Sequence, residues 1–93
     1  MHSYRLSWTA AFTRAFRRFM RRHPNLDNQV ADVLKRLQTN PFEPSLRLHS
    51  LSGNLSGKQA VSITYAYRIV LCVEIVDKEI ILYNIGTHDE VYG

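Results

Sequence analysis

A change of hydrophobic period most constrains what this chain can fold into. Apolar residues recur every three or four positions as far as Leu37, and every second position from Val61 onward. A pattern of the first kind cannot bury its apolar stripe as a strand, and one of the second kind cannot do so as a helix, so the chain is helical first and sheet-forming afterwards. From Thr9, the positions Phe12, Ala15, Phe16, Phe19 and Met20 share one side of a helix that ends near His23-Pro24. Asn25 is placed to cap a second helix carrying Leu26, Val30, Val33, Leu34 and Leu37, which Asn40-Pro41 stops. Tyr4 to Trp8 alternates briefly and is expected to be a first strand. Phe42 to Gly57, which follows directly on Pro41, holds Pro44 and two of the chain's four glycines and reads as an irregular crossing. Strands are expected at Val61 to Tyr65, Tyr67 to Val76 and Glu79 to Ile85, with Asp77-Lys78 turning between the last two. Short connections make these strands antiparallel neighbours, and the helices must bury their apolar faces on one side of them. The expected fold is α+β in the order βααβββ. An N-terminal strand and a helical hairpin pack on a mainly antiparallel four-stranded sheet, with residues 1–93 forming one domain.

Several classes of function are excluded. The longest apolar stretch, Ile69 to Val76, contains Glu74 and falls far short of the roughly 20 residues that span a bilayer. Met1 to Trp8 lacks the apolar segment of a signal peptide, so a cytoplasmic protein without membrane contact is expected. Cys72 is the only cysteine, which rules out an internal disulfide and a sulfur-based metal cluster; it is expected to be an inert core residue. His2 and His23 have no ligand-spaced partner, and no glycine-rich loop opens a helix, so neither a metal site nor a cofactor is expected.

Charge is informative through its placement. Twelve Lys and Arg against eight Asp and Glu give +4, and Arg5, Arg14, Arg17, Arg18, Arg21 and Arg22 all precede the first acid, Asp27. Five of these crowd the first helix opposite its apolar stripe. Such a face suits a polyanion or an acidic protein segment, although a solvated helix face needs charge as well.

His49 in the crossing, Arg68 opening the middle strand of the C-terminal meander, and His88 just after the last strand are each unremarkable alone. Together they carry a resemblance. Leu48-His49-Ser50-Leu51-Ser52-Gly53-Asn54-Leu55-Ser56-Gly57, then Tyr67-Arg68-Ile69-Val70, then Gly86-Thr87-His88 to Tyr92 resemble, in order and spacing, the RelE/ParE superfamily of bacterial toxins, nearest to mRNA interferases of the YafQ and YoeB type. The resemblance covers the whole chain. It implies a type II toxin held by a cognate acidic antitoxin in a hetero-oligomer, acting on mRNA at the ribosome.

The implied chemistry is endoribonucleolytic cleavage without a metal, in which the substrate's own 2′-OH attacks the adjacent phosphorus. That reaction needs a base for the hydroxyl proton, a cation for the charge growing on phosphoryl oxygen, and an acid for the leaving 5′-oxygen. Histidine suits both proton roles because its unperturbed pKa is about 6.5. By the resemblance, His49 is the base, Arg68 the phosphate clamp and His88 the acid. Tyr92 is the aromatic that packs under the substrate or donates a hydrogen bond. Arg47 and Lys58 are candidate RNA contacts, Tyr65 and Tyr67 can stack on bases, and Arg14, Arg17, Arg18, Arg21 and Arg22 are the candidate antitoxin surface. Ser62 stands where YafQ-like proteins carry a histidine, which thins the electrostatic cradle and favours slow or ribosome-dependent cleavage. Two other readings remain open on the same scaffold: a ParE-like poison of DNA gyrase, and a degenerate module that only binds its antitoxin.

Overall fold

The computed structural model describes residues 3–92; His2 lies outside the described residues. β1 (Arg5–Trp8) leads into α1 (Ala10–Arg22), and Thr9 joins them by bonding in two directions. Its hydroxyl oxygen accepts from the Phe12 amide at 3.0 Å, capping the helix, and donates to the Leu82 carbonyl at 2.7 Å, tying that cap to the sheet. Arg21 and Arg22 sit in the last turn, where cations oppose the negative end of the helix dipole.

The second helix starts later than its sequence suggests. Pro24–Leu26 forms a single 3-10 turn, since the proline ring presets the helical φ and lacks the amide a first turn leaves unpaired. Asn25 therefore lies within this turn rather than capping, and α2 (Asp27–Thr39) follows without a side-chain cap, with Asp27 favourably placed in its first turn.

After a second 3-10 turn at Pro44–Leu46 come β2 (His49–Ser50), a third turn at Gly53–Leu55, β3 (Gln59–Ser62), β4 (Tyr67–Glu74), β5 (Glu79–Thr87) and α3 (His88–Tyr92). The sheet has five strands in the order β1-β5-β4-β3-β2, one more than expected because two residues of the crossing pair with β3. All neighbours are antiparallel except β1 and β5, which run parallel. The strand expected at Val61 to Tyr65 runs instead over Gln59–Ser62, and Tyr65 belongs to the bend that follows rather than to a strand. The hairpin between β4 and β5 occupies 75–78, with Lys78 in the left-handed region at φ 54°.

A terminal helix, α3, is added to the expected order, and Thr87-x-x-Glu90 starts it as a capping box. The Glu90 amide donates to the Thr87 hydroxyl at 3.2 Å, and the Thr87 amide donates back to the Glu90 carboxylate at 2.8 Å. α3 folds back so closely over β5 that a Cβ on Gly86 would fall 2.9 Å from Glu90 Oε1.

The helices and one sheet face share the main core. Phe12, Phe19, Val30, Val33 and Leu37 meet Val61, Ile69, Leu71, Ile80 and Leu82, all buried. Phe16 and Leu34, expected at the centre, are only half-buried at its margin, where Phe16 stacks edge-on to Trp8. Because the β4 residues Ile69, Leu71 and Val73 face the helices, Arg68, Val70, Cys72 and Glu74 point to the other side. Cys72 is thus half-buried on the opposite face rather than in the core, and partial burial pushes its thiol pKa up.

Candidate functional site

The sheet face turned away from the helices brings distant parts of the sequence together. His49 on β2 pairs with Ala60 on β3, Ala60 with Val70 on β4, and one step along the strands Ser62 pairs with Arg68, which pairs with Gly86 on β5. Directly paired residues share a face, so His49 and Arg68 look out from the same side, their Cα atoms roughly 12 Å apart by strand spacing. Arg47, Leu48, His49, Ser62 and Arg68 line one open cleft of about 520 Å³. A second cleft adjoins it through Arg47, Ser62 and Arg68 and extends to Arg36, Ser45, Thr64 and Tyr65.

Each side chain is held differently. His49 is exposed, and its Nδ1 lies 2.9 Å from the Arg47 carbonyl oxygen. Arg68 is half-buried, and its Nη1 donates to the carbonyls of Thr64, Tyr65 and Tyr67 at 2.9, 2.8 and 3.1 Å, stapling the bend that precedes β4. Tyr65 on that bend is 96% exposed.

His88 and Tyr92 lie on α3, which begins directly after the β5 residue paired with Tyr67. Their rings meet edge-on with centroids 4.4 Å apart. The His88 ring is exposed, with Nδ1 3.7 Å from the Asp89 carboxylate. Tyr92 faces the 50–55 segment across a third cleft, and its hydroxyl is buried with no hydrogen-bond partner among the described residues. His88 and Tyr92 thus sit beside the His49–Arg68 cleft rather than lining it.

Two other candidates lie elsewhere. Tyr67 points to the helix side, its ring 5.3 Å from Phe19 and 4.8 Å from His23, because it alternates with Arg68 along β4. Lys58 places its ammonium 4.8 Å over the Tyr83 ring. All five arginines of α1 are exposed, and Arg22 pairs with Glu90 at 3.3 Å.

A further group borders the cleft on the α2 side. Arg36 on α2 donates to Glu43 at 2.5 Å and pairs with Asp32 at 3.3 Å, and Ser45 hydrogen-bonds both Arg36 and Glu43. Hydrogen bonds from Ser45 and then Arg36 hold the Glu43 carboxyl below its ordinary range. This cluster anchors the turn leading to Arg47 and His49. The signal available was an (i, i+4) Asp-Arg pair, Asp32 and Arg36, on the second helix. Among the described residues, no group of three or more His, Cys, Asp or Glu is arranged to hold a metal ion, and no helix is long and apolar enough to cross a membrane.

The sequence profile of a family described as bacterial toxin of type II toxin-antitoxin system, YafQ, matches residues 4–93. The chain belongs to the YafQ toxin family. It is therefore a toxin of the type II class, related to the YafQ and YoeB group. Its fold is that of YafQ from E. coli strain BL21(DE3), with a TM-score of 0.73 at 16% identity over 97% of this chain and 99% of that one. The E. coli DinJ-YafQ toxin-antitoxin complex matches at 0.71 and 17% identity, over 98% and 99% of the two chains. A YoeB/ParE toxin from Agrobacterium tumefaciens matches at 0.73 and 19%, over 90% and 98%. No curated protein matches by sequence.

Proposed function

We propose that this toxin is an endoribonuclease that cleaves mRNA on the ribosome and so stops translation, with residues 1–93 acting as one cytoplasmic unit. The observation that carries the reading is the convergence of His49, Arg47 and Arg68 on one open cleft, since a histidine beside two guanidiniums can supply two of the three groups that in-line attack on a phosphodiester needs, the base and the cation. In this reading His49 takes the proton of the 2′-OH. Arg68, with Nη1 engaged by the bend, meets the phosphate through Nη2 and Nε, and its charge grows in value as charge develops on the phosphoryl oxygens. His88 protonates the leaving 5′-oxygen while Tyr92 supports its ring. Arg47 and Lys58 contact flanking phosphates, and Tyr65, exposed at the rim, stacks on a base. Tyr67 packs among Phe19 and His23 and acts in this reading by positioning the start of β4. The nucleophile belongs to the RNA, so no step calls on a metal.

The partner in this reading is a cognate acidic antitoxin forming a hetero-oligomer on the exposed arginine face of α1, as the DinJ-YafQ complex pairs a toxin of this fold with an antitoxin. The deciding experiment is end-group analysis of mRNA cleaved on programmed ribosomes. Products with a 2′,3′-cyclic or 3′-phosphate and a 5′-hydroxyl, formed equally well with a chelator present, are expected. A 5′-phosphate product would overturn the mechanism.

A further inference from the structure

We propose that Arg47 is a positioning residue for His49: its left-handed backbone holds its carbonyl oxygen against Nδ1, so that Nδ1 carries the ring proton and Nε2 is the nitrogen left free as the base. This rests on the reading of His49 as the base, and concerns which atom does that work and what selects it.

The 2.9 Å contact joins Nδ1 of His49 to the Arg47 carbonyl oxygen. A carbonyl oxygen can only accept, so the ring nitrogen facing it must bear hydrogen, and in a neutral imidazole the other nitrogen is then unprotonated. The residue supplying the carbonyl is one of two non-glycine residues with positive φ among those described, at φ 57° and ψ 43°. An L-residue is seldom found there, because its Cβ crowds the neighbouring carbonyl, and such outliers persist where the surroundings over-determine them. Here they do so on several sides. The Arg47 amide closes the 3-10 turn on the Pro44 carbonyl at 3.1 Å, and Leu46 just before it is fully buried. Ser45 is held by Arg36 and Glu43, and His49 two residues later is fixed in register against Ala60. In the extended or right-handed regions the plane of the 47–48 peptide would turn and take the acceptor away from the ring. The Arg47 side chain independently lines the same cleft, so one residue contributes backbone and side chain to separate tasks.

These tasks come apart by substitution. Glycine and asparagine tolerate the left-handed conformation, whereas a β-branched residue is an outlier there. The experiment measures the ring nitrogens of His49 by two-bond 15N–1H correlation in the isolated full-length toxin at a pH where the ring is neutral, together with single-turnover cleavage at saturating RNA. The wild-type ring is expected in the Nδ1–H form. Arg47→Gly and Arg47→Asn should both keep that form, and both should lose RNA affinity and rate to the extent that the guanidinium serves the cleft, so together they set the baseline against which the backbone effect is read. Arg47→Val should lose the Nδ1–H signature, its rate falling about 10- to 100-fold below that of the Gly and Asn variants as the base presents the wrong tautomer. The amide spectrum of Arg47→Val separates a local change from unfolding, and the Gly and Asn variants carry the test if Val does not fold. A wild-type ring protonated on Nε2, a Gly or Asn variant without the Nδ1–H form, or a Val variant with the wild-type tautomer and the rate of the Gly and Asn variants, would overturn the proposal. The ring signal is read without RNA. A toxin that shows the tautomer pattern but cleaves nothing therefore overturns the ribonuclease reading, and one that cleaves RNA without the pattern overturns the positioning role alone.

Discussion

Replacing Arg68 with alanine should separate two tasks performed by one guanidinium. Nη1 faces three carbonyls of the 64–67 segment at 2.8–3.1 Å, but it has two hydrogens, so the staple amounts to about two full hydrogen bonds. A charged donor contributes about 1.5–3 kcal/mol per bond when desolvated, and this bend faces solvent, so a total loss of about 1–2 kcal/mol is expected. A domain of this size has a stability of roughly 5–15 kcal/mol, and even at the lower end about 3 kcal/mol would remain. At about 1.4 kcal/mol per decade, that leaves under roughly 1% unfolded. Unfolding therefore cannot account for a large loss of activity. Removing a cation that meets charge developing in the transition state lowers a rate by about 10²–10³-fold, and a loss of this size is expected in single-turnover cleavage. Urea unfolding followed through Trp8, the sole tryptophan, measures the first quantity on the same preparation. Arg68→Lys, which restores the charge without the planar fork, should recover RNA binding more than rate. A cleavage rate for Arg68→Ala within about tenfold of wild type would refute the clamp, because the staple alone predicts almost no change.

Four further outcomes are expected. His88→Ala should lower the chemical step by about 10²–10⁴-fold with RNA affinity largely retained, as measured by single-turnover cleavage beside filter binding. Phe12→Ala, at a fully buried position, should cost about 3–5 kcal/mol in urea denaturation, whereas the half-buried Phe16→Ala should cost about 1–2 kcal/mol; equal costs would contradict the placement of the core. The Glu90 carboxyl is held below its ordinary value first by the Thr87 amide, so α3 gains stability from it above the unfolded value of about 4.5 and loses that gain as pH falls through the folded one. The protection of the 88–92 amides, measured against intrinsic exchange at the same pH, should accordingly fall in acid for wild type, and be low already at neutral pH for Glu90→Ala. Reversing Arg17 and Arg21 to Glu should slow antitoxin association and flatten its salt dependence in stopped-flow measurements, and unchanged association at low salt would move the docking surface elsewhere.

The parts legible in the chain were those with local causes. Phe12, Ala15 and Phe19 fall on one helical stripe whatever surrounds them, and Pro24 and Pro41 end helical segments through their own covalent geometry. The meander order follows because short connections leave adjacent strands no alternative to antiparallel pairing. The capping box at Thr87 and Glu90 was equally local, and it shows that α3 could have been read without any tertiary information. Register was different. The run from Ile69 to Val73 is apolar on both faces, so alternation within it cannot tell which parity meets α1. Only packing decided that Leu71 faces the helices and Cys72 does not, and that Tyr67 turns inward while Arg68 turns to the cleft. His49 is 19 residues before Arg68 in sequence, and β2, at two residues, carries too little pattern to announce itself. Its pairing with β3 brings the histidine onto the same face as Arg68, and the left-handed backbone at Arg47 turns its ring. Residue types and periods are properties of a segment and can be read from it, whereas the direction a strand residue faces depends on what covers each side of the sheet, and that exists only once the chain has closed on itself.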